Sequence, residues 1–345
     1  MTRLPRNTIL VGDVRQRLAE LPEHSIDCVI TSPPYFRLRN YGIDGQIGLE
    51  PTISEWVDEL RTVFRGLHRV LKPTGSVWLN LGDSYSRHSK YGAPPKSLLL
   101  GPERLALGLI EDGWTVRNVV TWTKSNTMPS SVKDRLATKS EVIYFLTHSR
   151  RYHFDLDAIR VPHRSRPPHR DRTAPPKHRG TVPAAAPPWA GPLAGSNSGL
   201  AVMKAAGSVG HPLGANPGDT WTTAASNYRG QHFATFPPAL VVRPLLAGCP
   251  KRVCMACGIP WRRKPTCSIG DHFERGALKS GCECKAVYRA GVVLDPFAGA
   301  GTVGLVAEQH GRDWLGIELH PDFAALAMER IRAARTTTNK GSVHA

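Results

Sequence analysis

The sequence predicts an α/β fold built on a mostly parallel β-sheet. Three observations carry that expectation. Short apolar stretches alternate with segments whose apolar residues recur at helical spacing, the pattern of strands joined by crossover helices. Near the C-terminus, Val292-Val293-Leu294-Asp295 runs into a glycine-rich loop and a helix, and a later apolar stretch ends in Glu318. Residues 160–232, by contrast, are dense in Pro, Ala, Gly, Arg and His and lack periodicity, so they read as an insertion.

The elements follow in order. Thr8-Ile9-Leu10-Val11 is a strand, Arg15–Leu21 a short helix, and Ile26–Thr31 a second strand. Ile53, Trp56, Val57, Leu60, Val63, Phe64, Leu67, Val70 and Leu71 line one helical face over 53–71. Lys72-Pro73-Thr74-Gly75 ends that helix, and Ser76–Leu81 is a strand. A helix over about 101–111 precedes a strand pair near Val116–Trp122 and Glu141–Thr147. Regular structure resumes at His232, with a helix from about Pro238 to Leu246. After a cysteine-rich segment come the strand 292–295, a helix over 303–311, the strand Trp314–Glu318 and a final helix over 322–334. The expected segments are 1–159, an insertion 160–231, a helix-bearing 232–248, a cysteine-rich 249–290, a closing sheet segment 291–335 and a tail 336–345.

Composition narrows the function classes. The 345 residues include 45 Lys+Arg against 28 Asp+Glu, a formal net charge of +17. That excess favours a polyanionic partner, most often nucleic acid; a solvated basic surface is the plain alternative. No stretch approaches the roughly 20 apolar residues of a membrane span, and the N-terminus lacks an apolar signal core, so a cytoplasmic protein is expected. In that compartment the seven cysteines do not suggest a disulfide framework.

Two motifs carry chemistry. In DCVITSPPYF the buried strand ends at Ser32-Pro33-Pro34-Tyr35. Two prolines cannot continue a strand, so they hold a rigid corner tipped by an aromatic; read alone, the motif is equally a simple turn. In VVLDPFAGAGTVGLVAEQHGRDWLGIEL, Gly299-Ala300-Gly301 follows the strand, and Glu318 ends the next one, as in a nucleoside crevice. The loop lacks the Lys-Ser/Thr of a phosphate loop. Asp295-Pro296-Phe297 instead sets a carboxylate and an aromatic beside the glycines, which suits an ammonium better than a phosphate. S-adenosylmethionine, a nucleoside with a cationic amino-acid tail, fits.

Together these motifs resemble those of amino-group DNA methyltransferases, which methylate exocyclic nitrogens of cytosine or adenine. TSPPY is similar to that family's catalytic motif, (D/N/S)PP(Y/F), and DPFAGAGT to its cofactor motif. HFATFPPALV, over 232–241, resembles the cofactor motif borne on a helix. The resemblance covers about 7–160 and 220–335 and implies a Rossmann-like S-adenosylmethionine-dependent methyltransferase fold. The order of motifs resembles the circularly permuted β-type, in which the C-terminus supplies the first two strands and the N-terminus the third. The resemblance implies that Ser32 Oγ and the Pro33 carbonyl accept the two amine hydrogens, that Pro34 stiffens the corner and that Tyr35 stacks on the base. It implies cofactor contacts from Thr235, Phe236, Pro237, Asp295, Pro296, Phe297, Gly299, Gly301, Thr302 and Glu318. Asp13 is a further candidate for the adenine amino group, or simply a helix N-cap. The base must be flipped out of double-stranded DNA. Cys28 lies inside a strand and reads as a small core residue rather than a nucleophile. Serine at the first motif position leans toward cytosine N4, with adenine N6 as the alternative. Rivals are an RNA or protein-glutamine methyltransferase and a DNA-binding zinc protein with an inactive cofactor site. A monomer or homodimer, with or without a partner restriction endonuclease, fits the sequence equally.

Six cysteines lie between Cys249 and Cys284. Cys254-x-x-Cys257 and Cys282-x-Cys284 suggest a structural four-thiolate zinc knuckle, with Cys249, Cys267 and His272 as other ligand candidates and free thiols as the alternative. Lys251, Arg252, Arg262, Arg263 and Lys264 around it are candidates for phosphate contacts. The Arg/His-rich run from Arg150 to Arg179 reads as part of target recognition, or as a solvated linker.

Overall fold

The computed structural model describes residues 4–127, 129–163, 211, 213–225, 236–264, 267–269, 272–274 and 276–341; for 267–269, 272–274 and 336–341 it describes the backbone alone. Thr235 and most of the expected insertion lie outside the described residues. The chain divides into two compact units, 1–159 with 218–264 and 277–345, and 160–217 with 265–276.

The larger unit holds an eight-stranded sheet. Its strands are β1 (Thr8–Val11), β2 (Ile26–Thr31), β3 (Leu71–Leu81), β4 (Thr115–Lys124), β5 (Ser140–Thr147), β6 (Thr220–Thr223), β13 (Val292–Asp295) and β14 (Asp313–Glu318). Between β6 and β13 lie six short strands: β7 (Val253–Cys254), β8 (Arg262–Arg263), β9 (Cys267–Ile269), β10 (His272–Glu274), β11 (Leu278–Lys279) and β12 (Tyr288–Arg289). The sheet order is β1-β14-β13-β2-β3-β5-β4-β6. The first five of these pair in parallel; β5 is antiparallel to both β3 and β4, and β6 is parallel to β4.

Helices α1 (Val14–Glu20), α2 (Ile53–Val70) and α3 (Gly101–Glu111) contribute to one core, with Leu18, Trp56, Phe64 and Leu105 buried in it. Helices α4 (Pro238–Gly248), α5 (Thr302–Gln309) and α6 (Pro321–Gly341) contribute to a second, with Leu240, Val303, Val306 and Ile331. Sheet residues alternate between the two: Val29 belongs to the first core, Cys28 and Ile30 to the second. That alternation follows from the two-residue period of a strand covered on both faces.

Two stretches differ from the sequence expectation. The strand β3 begins at Leu71, not Ser76, so Lys72-Pro73-Thr74-Gly75 lies within it. Burial explains this: Leu71 pairs with Ile26, and Lys72 ion-pairs at 2.6 Å with the buried Asp27. Pro73, which has no N–H to donate, falls at the register shift between the Ile26 and Cys28 pairings, where a ladder bond is already missing. Within the expected insertion, Thr220–Thr223 forms β6. Its Trp221 is buried and stacks on Trp78, and that burial adds a sheet strand where composition alone suggests a structureless run. The final helix continues to Gly341 rather than 334.

In the smaller unit, Val161 bridges Ala215, the Arg160 guanidinium donates to the Gly214 carbonyl, and β9 and β10 form an antiparallel ribbon.

Candidate active site

Parallel strands all end on one edge of a sheet, so the loops that leave them converge there. Here β1 leads into Gly12-Asp13, β2 into Ser32–Tyr35, β13 into Pro296–Gly301 and β14 into Leu319-His320. These loops surround one cavity of about 390 Å³, within the size range of small-molecule sites. Lys124, at the end of β4, and Glu141, at the start of β5, reach the same cavity.

Of the residues singled out from sequence, Asp13, Ser32, Pro33, Pro34, Tyr35 and Phe236 line it, as do Pro296, Phe297, Gly299, Thr302 and Glu318. Asp295, Gly301 and Pro237 do not. Asp295 is buried, its Oδ1 accepting from Thr31 Oγ1 at 2.8 Å and from the Phe297 amide at 3.1 Å. It therefore ties the end of β2 to the loop after β13. Burial pushes its carboxyl up to about 7. Gly301 is the N-cap of α5, with φ of 71°. A Cβ there would lie 3.0 Å from Ala327 Cβ and Ile331 Cδ1, so glycine is what lets α5 close on α6.

The glycine loop and Glu318 are already bonded to each other. Glu318 Oε2 accepts from the Gly299 amide at 2.7 Å and Oε1 from the His320 amide at 3.0 Å. Burial holds the Glu318 carboxyl above its ordinary value. Asp13 caps α1, accepting from the Arg15 amide at 2.8 Å, and is ion-paired with Arg15. Those bonds lower its carboxyl, with the Arg15 side chain the largest cause. Asp13 is thus both the cap and a wall of the cavity.

The Ser-Pro-Pro-Tyr corner is held from three sides. The Trp56 indole donates to the Pro34 carbonyl at 3.0 Å. Among the described residues, none donates to the Pro33 carbonyl. Gly82 clears space for the Tyr35 ring, since a Cβ there would come within 2.7 Å of its Cε2. The Tyr35 hydroxyl donates to Glu141 Oε2 at 2.7 Å, and Ser32 Oγ lies 3.3 Å from that hydroxyl. Burial and the Glu141 carboxylate push the Tyr35 phenol well above its ordinary value, so it is neutral.

Sequence reasoning missed the group around Glu141. Its carboxylate also accepts from Asn80 Nδ2 at 3.1 Å and is ion-paired with Lys124. A usable signal existed for Asn80, a buried polar residue inside the apolar strand Val77-Trp78-Leu79-Asn80-Leu81. Glu141 carried none, because a charge near the start of a strand is ordinary.

The Sγ atoms of Cys254, Cys257, Cys282 and Cys284 all lie within 4.8 Å of one another. Tetrahedral zinc, with Zn–S near 2.3 Å, sets sulfurs roughly 3.8 Å apart, so a small contraction suffices. Cys249 is not with them: it is buried in the second core. The side chains of Cys267 and His272 lie outside what the structure describes. Of the surrounding cations, Arg263 is bound to Asp155 and Arg252 lies over the rings of Trp261 and Tyr288, so both are engaged within the protein.

The model of the N6_N4_Mtase family, described as DNA methylase, matches residues 26–329. The type II methyltransferase M.SmaI of Serratia marcescens is 32% identical over 348 residues, covering 95% of this chain and 91% of its own. M.Cfr9I of Citrobacter freundii is 31% identical over 350 residues, covering 95% and 89%. The fold is shared with the cytosine-N4-specific PvuII DNA methyltransferase, at a TM-score of 0.55 and 19% identity over 94% of this chain and 90% of that one. It is also shared with a putative DNA modification methylase of Thermus thermophilus solved with S-adenosyl-L-methionine, at 0.50 and 21% over 94% of each chain. With relatives matched over nearly their whole length and the family model spanning most of this one, the chain belongs to the N6_N4_Mtase family of DNA methylases, enzymes that methylate amino groups in DNA.

Proposed function

We propose that this methylase acts on the exocyclic amino nitrogen of a flipped base in double-stranded DNA, cytosine N4, using S-adenosylmethionine. One observation carries the reading: the Ser32–Tyr35 corner and the Gly299 loop open into the same cavity. When bound, the cofactor would supply an electrophilic sulfonium methyl to the amine nitrogen, leaving a neutral thioether, and the nitrogen would give up one proton to water.

The chain's own residues orient the partners of that transfer. An amine conjugated to a base ring is a weak nucleophile, and acceptors for its two hydrogens free its lone pair. Ser32 Oγ and the Pro33 carbonyl are those acceptors, fixed in place by proline and by Trp56, and such preorganisation is where most of the rate arises. The Tyr35 ring packs against the base. Phe236, Pro296, Phe297 and Thr302, which line the cavity, would hold the cofactor, with Gly299 allowing close backbone approach, Glu318 available to the ribose and Asp13 to the adenine. Gly301, Asp295 and Pro237 shape that half of the site from behind its wall. Thr235 belongs to the same cofactor segment. The motif order is read as the β-type permutation, which the adjacency of β13, β14 and β1 supports. Cys254, Cys257, Cys282 and Cys284 hold a structural zinc ion, and the protein is cytoplasmic. Target recognition falls to the insertion after residue 160.

Modification-sensitive sequencing of DNA from cells expressing the protein tests the reading. N4-methylcytosine in one fixed sequence context is expected. N6-methyladenine in such a context would move the target to adenine, and unmodified DNA would overturn the reading.

A further inference from the structure

Serine is an ambiguous choice for the acceptor of the target amine. Its hydroxyl can donate as well as accept. A serine that donated to the amine nitrogen would tie up the lone pair that must attack the methyl group. A carboxylate, by contrast, can only accept. The structure contains a device that removes the ambiguity.

Glu141 receives three donors: the Tyr35 hydroxyl at 2.7 Å, Asn80 Nδ2 at 3.1 Å and the Lys124 ammonium. A carboxylate offers no proton in return. The phenol has one proton, and the short bond to a charged acceptor takes it. Asn80 Oδ1 competes for that proton at 3.4 Å, a longer bond to a neutral oxygen. With its proton committed, the phenol oxygen can only accept. Ser32 Oγ is its donor, at 3.3 Å. The single hydroxyl proton of Ser32 is thereby directed at Tyr35, and its lone pairs are left for the cavity that Ser32 lines. The hydrogen-bond sense runs one way, from Ser32 through Tyr35 to Glu141.

We propose that Glu141, acting through Tyr35, is a positioning residue that fixes Ser32 as a one-way acceptor for the target amine. The inference rests on the function proposed above, and assigns to the Tyr35 hydroxyl a part that base stacking does not need. Lys124 and Asn80 complete the device: the first keeps a buried negative charge paired, and the second orients the carboxylate.

The test is a double-mutant cycle read by single-turnover methyl transfer, with DNA and cofactor affinities measured separately on each purified protein. Glu141→Gln keeps the shape but adds an amide donor, which can turn the chain around. It should slow transfer about ten- to a hundredfold, less than the loss of a whole preorganised contact, and change either affinity less than about twofold. Tyr35→Phe, which keeps the ring, should slow it similarly. In a Ser32→Ala background the orienting role has nothing to act on, so adding Glu141→Gln should cost less than about a further twofold. If Ser32→Ala transfer falls below detection, a Ser32→Asp background carries the same reading, since aspartate accepts whichever way the phenol points. A Glu141→Gln penalty of the same size with and without Ser32 would overturn the inference, and so would a silent Glu141→Gln. A wild-type protein that methylates no DNA would instead overturn the proposed function.

Discussion

Asp295 shows how a single residue can be legible in its motif while its side-chain partners are not. The sequence reading puts its carboxylate against a cationic ligand because it ends a strand beside a glycine loop. The structure buries it instead, bonded to Thr31 and to the Phe297 amide. A motif position fixes the backbone, but the rotamer depends on partners from remote sequence, and Thr31 lies 264 residues away. For the same reason Glu141 escapes notice, since its meaning comes from Tyr35, Asn80 and Lys124 together. The buried position of Asp295 has a pH consequence. Its carboxyl sits at about 7 in the folded chain against an ordinary value of 3.8. The folded state therefore binds this proton more tightly than the unfolded state. Its contribution to stability is fully present below about pH 4 and is lost as pH rises through about 7. A gap of roughly three on the pH scale caps the effect at about 4 kcal/mol. Asp295→Asn keeps the Oδ1 acceptor and removes the titration. Thermal unfolding from about pH 5 to about pH 8 should show the wild type losing stability relative to this variant, and parallel curves would exclude the assignment.

At the level of elements, apolar and periodic segments were legible, down to the four residues of β1 and β13, whereas a strand inside an irregular run was not. The apolar face over 53–71 announced α2, and the structure adds a Thr52–Glu55 capping box at its start. By contrast, β6 is four residues in a proline-rich run, recognisable only through the burial of Trp221 against Trp78. The cysteine segment lies between these extremes. Its cysteine spacing was readable, but the ribbons β7/β12 and β8/β11 have two residues in each strand and are marginal alone. A crosslink would hold them, and the four clustered sulfurs offer a place for one. Purified protein should therefore hold about one zinc per chain. Thiol modification should release it and raise hydrogen exchange over residues 250–290 while the eight-stranded sheet stays protected. Metal-free protein whose thiols titrate freely would reduce the segment to a cysteine-rich loop.

For the whole molecule, a mostly parallel sheet followed from the alternation of strands and helices, whereas the antiparallel placement of β5 did not, because strand direction leaves no periodic trace. The charge of +17 was legible from composition, but its location is a property of the fold. The loops after β2, β3 and β4 all leave the cavity edge of the sheet, and they carry Arg37, Arg87, Lys90, Lys133 and Lys139, all exposed. These cations thus stand on loops that leave the same edge of the sheet as the cavity, whose wall Arg39 and Lys124 line. Phosphate contacts of this kind release counterions, so DNA affinity should fall at least about tenfold between about 50 and about 200 mM salt. Cofactor affinity, set inside the cavity, should barely move over the same range. Lys133→Ala and Lys139→Ala should each reduce the slope of log affinity against log salt by about one, with no change in sequence preference. Those lysines contact phosphate rather than base in this account, so a slope unchanged by both substitutions would remove the β4–β5 loop from the DNA-binding surface.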